Sequence, residues 1–366
     1  MRRSIIVIII ILARVIYSAY WFYLAPALPI ISIEFKVSKA LLGLVPFIFI
    51  VGAASFQIPA GIIASHLGNA RTAGLGLFAM AITGLLIPFS TNFYEVLILR
   101  LIAGIGAALF FSTGAAILST AYPERVGTLL GIYNAAFGLG SGIGLAWGGV
   151  TYAFLGWRLS TLLLSAVGVP LALTVFFVQG GYIHSPRIRF SRDAVIIGIA
   201  TSGFWGGAYY AAGSLLPTYA VGRGGLPLYV SSLLTSIMLF SSIFGGLSGR
   251  IIDAIKNRVL LIVVLTIVGT VPLISIPTLN VAAIIIAGGL MGFTNELALT
   301  AAYALVARHE NPALSLATLN ALNMIIGMWL SVLFTETMVI SYSLPWILMI
   351  LISLALLPLL KFVSIT

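Results

Sequence analysis

Residues 94–120 read YEVLILRLIAGIGAALFFSTGAAILST, an apolar stretch whose one charged residue beyond the first turn is Arg100. An α-helix needs about 20 mostly apolar residues to cross the hydrocarbon core of a bilayer, and this stretch is longer. Eleven other stretches of the chain have the same character. The sequence therefore predicts twelve transmembrane helices, over residues 4–31, 40–64, 71–89, 94–120, 126–151, 157–178, 194–219, 228–250, 258–276, 280–306, 313–336 and 343–362.

The composition of the whole chain indicates the same class of protein. Of its 366 residues, 61% are apolar and 7% are charged, whereas a soluble domain has about 25% charged residues. The net charge of +10 does not indicate nucleic-acid binding, because most of the basic residues lie between the apolar stretches. The chain has no cysteine, and its three histidines are far apart in sequence, so we expect no metal site and no cofactor. We therefore expect the chain to lie in a lipid bilayer.

The loops predict the orientation and the domain organisation. With a cytoplasmic N-terminus, the cytoplasmic loops carry twelve Lys and Arg residues and the opposite loops carry four. Because such an excess marks the cytoplasmic side, we expect both termini to be cytoplasmic in the plasma membrane. We also expect the first apolar stretch to remain as an uncleaved span. The longest segment without a predicted span, 179–193, is then a cytoplasmic linker between two six-helix bundles, 1–178 and 194–366.

The two halves also repeat each other in sequence. Matching residues recur at an offset of 188 or 189 positions, and this shared offset carries weight because glycine is too common here for any one match to do so. Two six-span halves in the same orientation predict a pseudo-two-fold axis along the membrane normal, with a substrate site between the halves near mid-bilayer. The matching pairs are Gly104 with Gly292, Pro123 with Pro312, Asn134 with Asn323, and Gly138 with Gly327.

Several motifs resemble the signatures of the major facilitator superfamily, and the resemblance covers essentially the whole chain. It implies an all-α membrane protein with the fold of that family, a monomer that moves a small molecule and is not an enzyme. The glycines of span five are similar to those of proton-coupled exporters, although Leu145 stands where that signature has proline. The motifs are Gly61-x-x-Ala-Ser-His-x-Gly-Asn-Ala-Arg71, Arg100-x-x-x-Gly104, the span-five glycines from Gly131 to Gly149, and Gly156-Trp157-Arg158.

The resemblance also suggests gating residues at the cytoplasmic side. The aspartate of the family loop is replaced by Ser65 in the first half and is kept as Asp253 in the second half, close to Arg258. Asp253 is expected to form a salt bridge or to cap a helix in the inside-open gate; the alternative is a solvated loop carboxylate. Because Ser65 cannot form an ion pair, the gating contact of the first half should be weaker than that of the second half.

Three glycines of span five form a nearly smooth helix face. Gly140, Gly144 and Gly148 recur at four-residue spacing, and small residues let the backbones of membrane helices approach closely. This face is either a gating seam on which the halves rock or ordinary tight helix packing.

Glu296 is the sharpest functional candidate. It lies about midway along span ten, and an ionisable group within a membrane marks a functional site by default. Gly292, Glu296, Thr300 and Tyr303 follow one helical face, so the polar groups converge on one side. A buried carboxyl holds its proton and releases it when water enters. We therefore expect Glu296 to couple transport to protons or to bind a cationic substrate; the alternative is a structural, protonated or hydrogen-bonded glutamate.

Two arginines also fall within predicted spans. The resemblance suggests that Arg100 takes part in proton transfer or holds a polar network, and its permanent charge makes it an electrostatic partner rather than a proton donor. The alternative is that Arg100 bonds to backbone carbonyls of a neighbouring helix. Arg14 shares a face with Tyr17 and Trp21. It either binds a substrate carboxylate or phosphate in the cavity or extends to the cytoplasmic headgroups.

Polar and aromatic residues of several spans are candidates for the wall of a substrate cavity. Aromatic walls with few polar anchors suit amphipathic or aromatic ligands, although aromatic residues of the membrane interface have the same appearance in sequence. The candidates are Tyr17, Trp21, Gln57, Asn134, Trp205, Tyr209, Asn320 and Asn323.

The leading hypothesis is a secondary active transporter that exports a small organic molecule by alternating access, coupled to protons. The alternative within transport is a proton-coupled symporter that imports an organic anion such as a carboxylate, which the two arginines of the first half favour. A membrane-embedded enzyme or a non-transporting receptor is the alternative of another class. The sequence shows no Ser-His, paired-carboxylate or metal-binding pattern that would support an enzyme.

Overall fold

The computed structural model describes residues 3–178, 191–248, 252, 255–306 and 312–364, and in this part of the chain all regular structure is helical. A helix satisfies its own backbone hydrogen bonds, which an open sheet edge in lipid does not. The α-helices are α1 (Arg3–Phe22), α2 (Leu28–Glu34), α3 (Leu44–Ser55), α4 (Gln57–Leu67), α5 (Asn69–Leu86), α6 (Phe93–Ala121), α7 (Val126–Phe176), α8 (Arg192–Thr201), α9 (Tyr210–Gly224), α10 (Leu228–Leu247), α11 (Arg258–Thr270), α12 (Val281–Val306), α13 (Pro312–Gly327), α14 (Trp329–Ile340) and α15 (Leu344–Ala355).

Among the described residues, nine helical segments are long and apolar enough to cross a membrane, or ten if α3 and α4, which meet at 49°, form one span. Two local features account for the difference from twelve. Helix α7 runs through two predicted spans and is divided at Gly156, where φ is 71°. The predicted seventh span is divided by a π-helix over Gly203–Tyr209, which separates α8 from α9. Each predicted span is thus mostly helical where the structure describes it, and the predicted all-α membrane fold is confirmed.

The first span is a broken helix. Helix α1 ends at Phe22, a short 3-10 turn over Ala25–Ala27 follows, and α2 continues to Glu34. Pro26 and Pro29 have no backbone N–H and cannot continue the helical hydrogen bonds, so the chain bends at this point. The break leaves carbonyl groups in the last turn of α1 without helical donors. Within lipid these carbonyls need partners from elsewhere in the protein.

The chain forms two compact units. The first unit comprises Met1–Val37 and Ile48–Ser185, and the second comprises Ser38–Phe47 and Pro186–Thr366. In the first unit α1 packs along α7, and α5 packs along both α6 and α7. In the second unit α12 packs along α10 and α11, and α13 packs along α8 and the π-helix. Each unit therefore buries helix faces of its own.

The segment before α3 belongs to the second unit, although its neighbours on both sides belong to the first. The Thr335 hydroxyl donates a hydrogen bond of 2.6 Å to the carbonyl of Ala40. Gly43 lies against the backbone of Ser331, where a larger residue would collide. These contacts fix the segment to α14, so the boundary between the units falls inside α3.

The glycine face of span five packs against span one of the same unit. A Cβ at Gly140 would collide with the carbonyl of Val15, and a Cβ at Gly144 would collide with Ala19. Gly148 continues the row against the 3-10 turn that follows α1. These are the contacts of tight helix packing, the second of the two interpretations drawn from the sequence.

One glycine contact occurs in each unit at the offset of the sequence repeat. A Cβ at Gly104 would collide with the carbonyl of Phe49, and a Cβ at Gly292 would collide with the carbonyl of Met238. The two glycines are 188 positions apart and the two carbonyls 189. The sequence repeat is therefore also a repeat of helix contacts, of α6 with α3 in the first unit and of α12 with α10 in the second.

We predict that Gly292→Ala destabilises the protein, whereas Gly289→Ala on the same helix does not. The added methyl group at position 292 meets the α10 backbone, whereas nothing lies within 4 Å of a Cβ at position 289. Overpacking costs about 1–3 kcal/mol, and replacement of an unconstrained helical glycine gains up to about 1 kcal/mol. Thermal unfolding of the purified variants in detergent measures both effects. Equal unfolding temperatures for the two variants would contradict the packing described here.

Candidate functional site

Glu296 is buried on α12, with 3% of its surface exposed. Gly245 of α10 lies so close that a Cβ there would stand 3.0 Å from the Glu296 Cβ. The side chain of Tyr209, from the π-helix, lies within electrostatic range of the Glu296 carboxyl and beside Ser242 of α10. Glu296 therefore lies where three elements of the second unit meet, and two of them supply polar side chains.

The helical face predicted around Glu296 bonds along its length. The Thr300 hydroxyl donates to the backbone carbonyl of Glu296 at 2.8 Å. One turn further, the Tyr303 hydroxyl donates to Asn320 Oδ1 at 2.6 Å and so connects α12 to α13. Glu296 and Tyr303 of this face thus contact other elements of the second unit, and Thr300 bonds within its own helix.

Asn323, the second asparagine of span eleven, bonds to span seven. Its Nδ2 atom donates to Thr201 Oγ1 at 3.0 Å, and its backbone lies against Gly206 of the π-helix. Gly327, one turn on, contacts Gly206 and Gly207 directly. The π-helix is therefore seated on α13 by paired glycines, close to the point where α13 ends.

Trp205 and Tyr209 both lie in this π-helix and are buried. Among the described residues no acceptor bonds to Trp205 Nε1. The sequence predicts that these two side chains share a helix face but does not predict the π-helix that carries them. Insertions of this type are rare and are frequent at functional sites. The one sequence signal is the Gly206-Gly207 pair, which could have been taken for ordinary helix packing.

Arg100 is 2% exposed and bonds to the broken end of α1. Its Nη1 atom donates to the carbonyl of Tyr20 at 3.0 Å, and its Nη2 atom donates to that of Trp21 at 3.4 Å. The guanidinium carbon lies 4.1 Å from the ring centroid of Phe49. These bonds match the alternative drawn from the sequence, in which Arg100 bonds to backbone carbonyls of a neighbouring helix. A cation at a helix C-terminus also matches the negative end of the helix dipole.

A second side chain also donates a hydrogen bond to a backbone carbonyl at the broken end of α1. The Tyr152 hydroxyl donates to the carbonyl of Tyr23 at 2.7 Å. The carbonyls released by the proline-induced bend thus have donors from α6 and α7 within the same unit. The sequence gives no signal for this role of Tyr152, because the partner lies 129 positions away.

Arg14 is 3% exposed and lies among four aromatic rings. Its Nε atom donates to the carbonyl of Tyr133 at 3.3 Å. The guanidinium carbon lies between 4.4 and 5.0 Å from the ring centroids of Tyr17, Phe111, Tyr133 and Phe137. A side chain that extends to the headgroups would be exposed, whereas the Arg14 side chain is buried. Sequence reasoning found Tyr17 and missed the three rings of α6 and α7.

The other wall candidates of the first unit differ in burial. Trp21 is buried and stacks edge-on against Phe49 and Phe137, with ring centroids 4.9 and 5.5 Å apart. Gln57 is buried at the start of α4. Asn134 is half-buried on α7. Of these three, Trp21 lies in the aromatic cluster around Arg14.

The gating residues suggested by the resemblance are only partly described. Asp253 lies outside the described residues. The Nη1 atom of Arg258 donates to the carbonyl of Ala304 at 3.4 Å. The Ser65 hydroxyl donates to the carbonyl of Ile62 in its own helix at 2.7 Å. Arg258 therefore links α11 to α12, and Ser65 makes a local bond.

We predict that Arg100→Gln lowers the stability of the protein markedly and that Arg100→Lys has an intermediate effect. Each hydrogen bond from a charged group contributes about 1.5–3 kcal/mol, and its loss leaves a buried carbonyl unsatisfied. Arg71→Gln is the control, because Arg71 is exposed. Thermal unfolding in detergent measures the difference. An Arg100→Gln protein as stable as the control would show that these carbonyl bonds do not hold the break.

The chain matches the sequence profile of the Major Facilitator Superfamily over residues 10–335. It is 26% identical over 188 residues to the riboflavin transporter RibZ of Clostridioides difficile, which covers 51% of this chain and 40% of that protein. It is 25% identical over 256 residues to the probable nitrate/nitrite antiporter NarK1 of Thermus thermophilus, covering 62% and 56%. The 4-hydroxybenzoate transporter PcaK of Pseudomonas aeruginosa is 30% identical over 157 residues, covering 42% and 33%.

In each case the match covers less than two thirds of the relative's own length. Among solved structures, the chain is similar to a bacterial homologue of the human lysosomal transporter Spinster, crystallised in an inward-facing and occupied conformation. The TM-score is 0.75 at 15% identity, over 99% of this chain and 97% of that one, which is a likeness of fold. Because the family profile covers most of the residues, the chain belongs to the Major Facilitator Superfamily, a family of membrane transport proteins.

Proposed function

We propose that this protein is a secondary active transporter that moves a small organic molecule across the membrane by alternating access, coupled to protons through Glu296. It is a multi-pass membrane protein of a transporter family. The proposal further places it in the plasma membrane as a monomer with both termini cytoplasmic. Its two six-helix bundles, 1–178 and 194–366, are proposed to be joined by the cytoplasmic linker 179–193.

The burial of the Glu296 carboxyl among polar side chains of the second unit is the observation that carries this proposal. A carboxylate in a desolvated site is disfavoured relative to the protonated acid. Water that reaches the site in one state of the transport cycle would favour release of the proton. Alternating access supplies such a change, so Glu296 can take up a proton on one side and release it on the other.

The nearby side chain of Tyr209 suits this role, because its hydroxyl group can donate a hydrogen bond to a carboxylate and accept one from a carboxylic acid. This hydroxyl group could therefore accommodate both protonation states of Glu296.

We propose export as the leading direction of transport, because the span-five glycines resemble those of proton-coupled exporters. Arg14 favours the second candidate, a symporter that imports an organic anion, since its buried guanidinium suits a carboxylate. The relatives' names include a nitrate/nitrite antiporter and transporters of riboflavin and 4-hydroxybenzoate, so they support small-molecule transport without selecting one substrate. An enzyme is not proposed, since the family consists of transporters.

We predict that Glu296→Gln abolishes the response of transport to a pH gradient. The test uses the full chain in liposomes with a panel of small organic acids, amines and neutral compounds under an imposed gradient. Gln keeps the size of the side chain and cannot titrate, so gradient-driven accumulation should fall at least tenfold. Glu336→Gln is the matched control, because Glu336 is exposed on α14. Normal transport by Glu296→Gln with an unchanged pH profile would end the coupling role.

The same vesicles distinguish export from import. An exchanger accumulates substrate when the lumen is the more acidic side, and a symporter accumulates it when the outer solution is. This sign does not depend on which way the protein inserts, because both orientations respond to the same gradient. If no compound moves under either gradient, the transport proposal gives way to the receptor alternative.

A further inference from the structure

Arg14 carries a buried positive charge whose hydrogen-bonding capacity is incompletely used. Its Nε atom bonds to the carbonyl of Tyr133, whereas its Nη1 atom is buried without an acceptor among the described residues. A guanidinium stays charged in a protein, because it does not lose its proton. A charge left in such surroundings is strongly disfavoured unless something compensates it.

The first unit contains no carboxylate inside its helices to neutralise this charge. Residues 1–178 have three acidic side chains, and all three lie at helix ends. Glu34 binds Arg158 and the indole nitrogen of Trp157. Glu95 accepts hydrogen bonds from its own N-terminal turn, and Glu124 is exposed. In the described part of residues 1–178, the Arg14 guanidinium is thus surrounded by aromatic rings, one carbonyl and the hydroxyl groups of Tyr17 and Tyr133.

Arg100 shows how differently a structural arginine is bound in the same unit. Both of its terminal nitrogens donate to carbonyls at a helix end. The α1 break explains why these acceptors exist, and the nitrogen of Arg100 that is buried without an acceptor among the described residues is its Nε rather than a terminal one. Arg14 caps no helix end, and one of its terminal nitrogens is left over. The difference indicates that Arg14 serves a ligand.

The rings define the shape of that ligand. Tyr17 and Phe110 stack at 5.0 Å with an interplanar angle of 28°, and Tyr133 continues the stack beyond Phe110 at 6.5 Å and 20°. Parallel rings favour a flat aromatic group over a bulky aliphatic one as a further partner, because stacked aromatic pairs add to the gain from burial. The unpartnered Nη1 atom of Arg14 favours a carboxylate, since hydrogen bonds between a guanidinium and a carboxylate are charge-assisted.

We propose that Arg14, together with Tyr17, Phe111, Tyr133 and Phe137, recognises a planar aromatic acid, and that aromatic carboxylates are the substrate class of this transporter. The carboxylate bonds to Nη1 of Arg14 while its ring stacks on the surrounding rings. Nη1 is closed to solvent in this structure, so entry of the acid requires the opening that alternating access supplies. In that respect the inference rests on the proposed function. Binding itself does not require proton coupling.

Equilibrium binding to the purified full chain tests this assignment. The probe is radiolabelled 2-naphthoate, with two competitors that each lack one feature. The competitor 2-naphthamide keeps the rings and lacks the charge, and decahydro-2-naphthoate keeps the charge and lacks the aromatic plane. We expect the wild type to prefer the acid over the amide at least tenfold, and over the saturated acid at least threefold.

Variants then assign each preference to its group. Arg14→Gln should reduce naphthoate binding at least tenfold, to the level of the amide, and leave amide binding unchanged. Phe137→Leu should keep the preference for the acid and lose the preference for the aromatic plane. Arg3→Gln is the control on the same helix, because Arg3 is exposed at its start. If Arg14→Gln does not fold, Arg14→Lys replaces it, since an ammonium keeps the charge without the planar fork; it should weaken naphthoate binding and not amide binding.

The proposal is overturned if the wild type does not bind naphthoate, if acid and amide bind equally, or if the Arg14 variants keep the full preference for the acid. Failure of the coupling proposal has a different signature. In that case Glu296→Gln transports with an unchanged pH profile while the acid-to-amide ratio still depends on Arg14. A ratio of one combined with an intact pH response would reject the substrate class and leave the coupling proposal standing.

Discussion

Hydrocarbon offers no hydrogen bonds, and the structure of this protein follows from that constraint wherever a helix is interrupted. Pro26 and Pro29 break the first span, and the carbonyls they release would be unsatisfied in lipid. Arg100 donates to two of these carbonyls and Tyr152 to a third. The same side chains fix the position of α1 against α6 and α7. The break in α1 is therefore the place where α1, α6 and α7 contact one another.

Glycine provides the second means of holding helices together. Lipid is as apolar as leucine, so membrane helices gain little from apolar side chains alone and depend on close packing of their backbones. The contact of Gly104 with Phe49 and that of Gly292 with Met238 show this at corresponding places in the two units. The internal repeat therefore preserves these close contacts between helices.

The buried charges do not follow the repeat. At the offset of 188 that relates the two glycines, Arg100 corresponds to Gly288, and Glu296 corresponds to Ala108. The first unit accordingly contains buried arginines without a carboxylate inside its spans, and the second contains Glu296. Two units built on the same packing thus have different chemistry. Anion recognition is accordingly proposed for the first unit and proton coupling for the second.

The sequence by itself determined the membrane class, the positions of the spans, the repeat, and the location of the ionisable groups, because hydropathy and local spacing are properties of a few neighbouring residues. The burial of Glu296 and of most of the wall candidates agrees with that spacing. Only the tertiary structure decided what the buried groups contact. Arg14 and Arg100 look alike in sequence, yet one lies among four rings and the other caps a broken helix, because their partners come from segments as much as 123 positions away. The π-helix that carries Trp205 and Tyr209 also depends on a contact between distant segments. It occurs where Gly206 and Gly207 pack against Gly327, and no pattern within span seven could specify this contact.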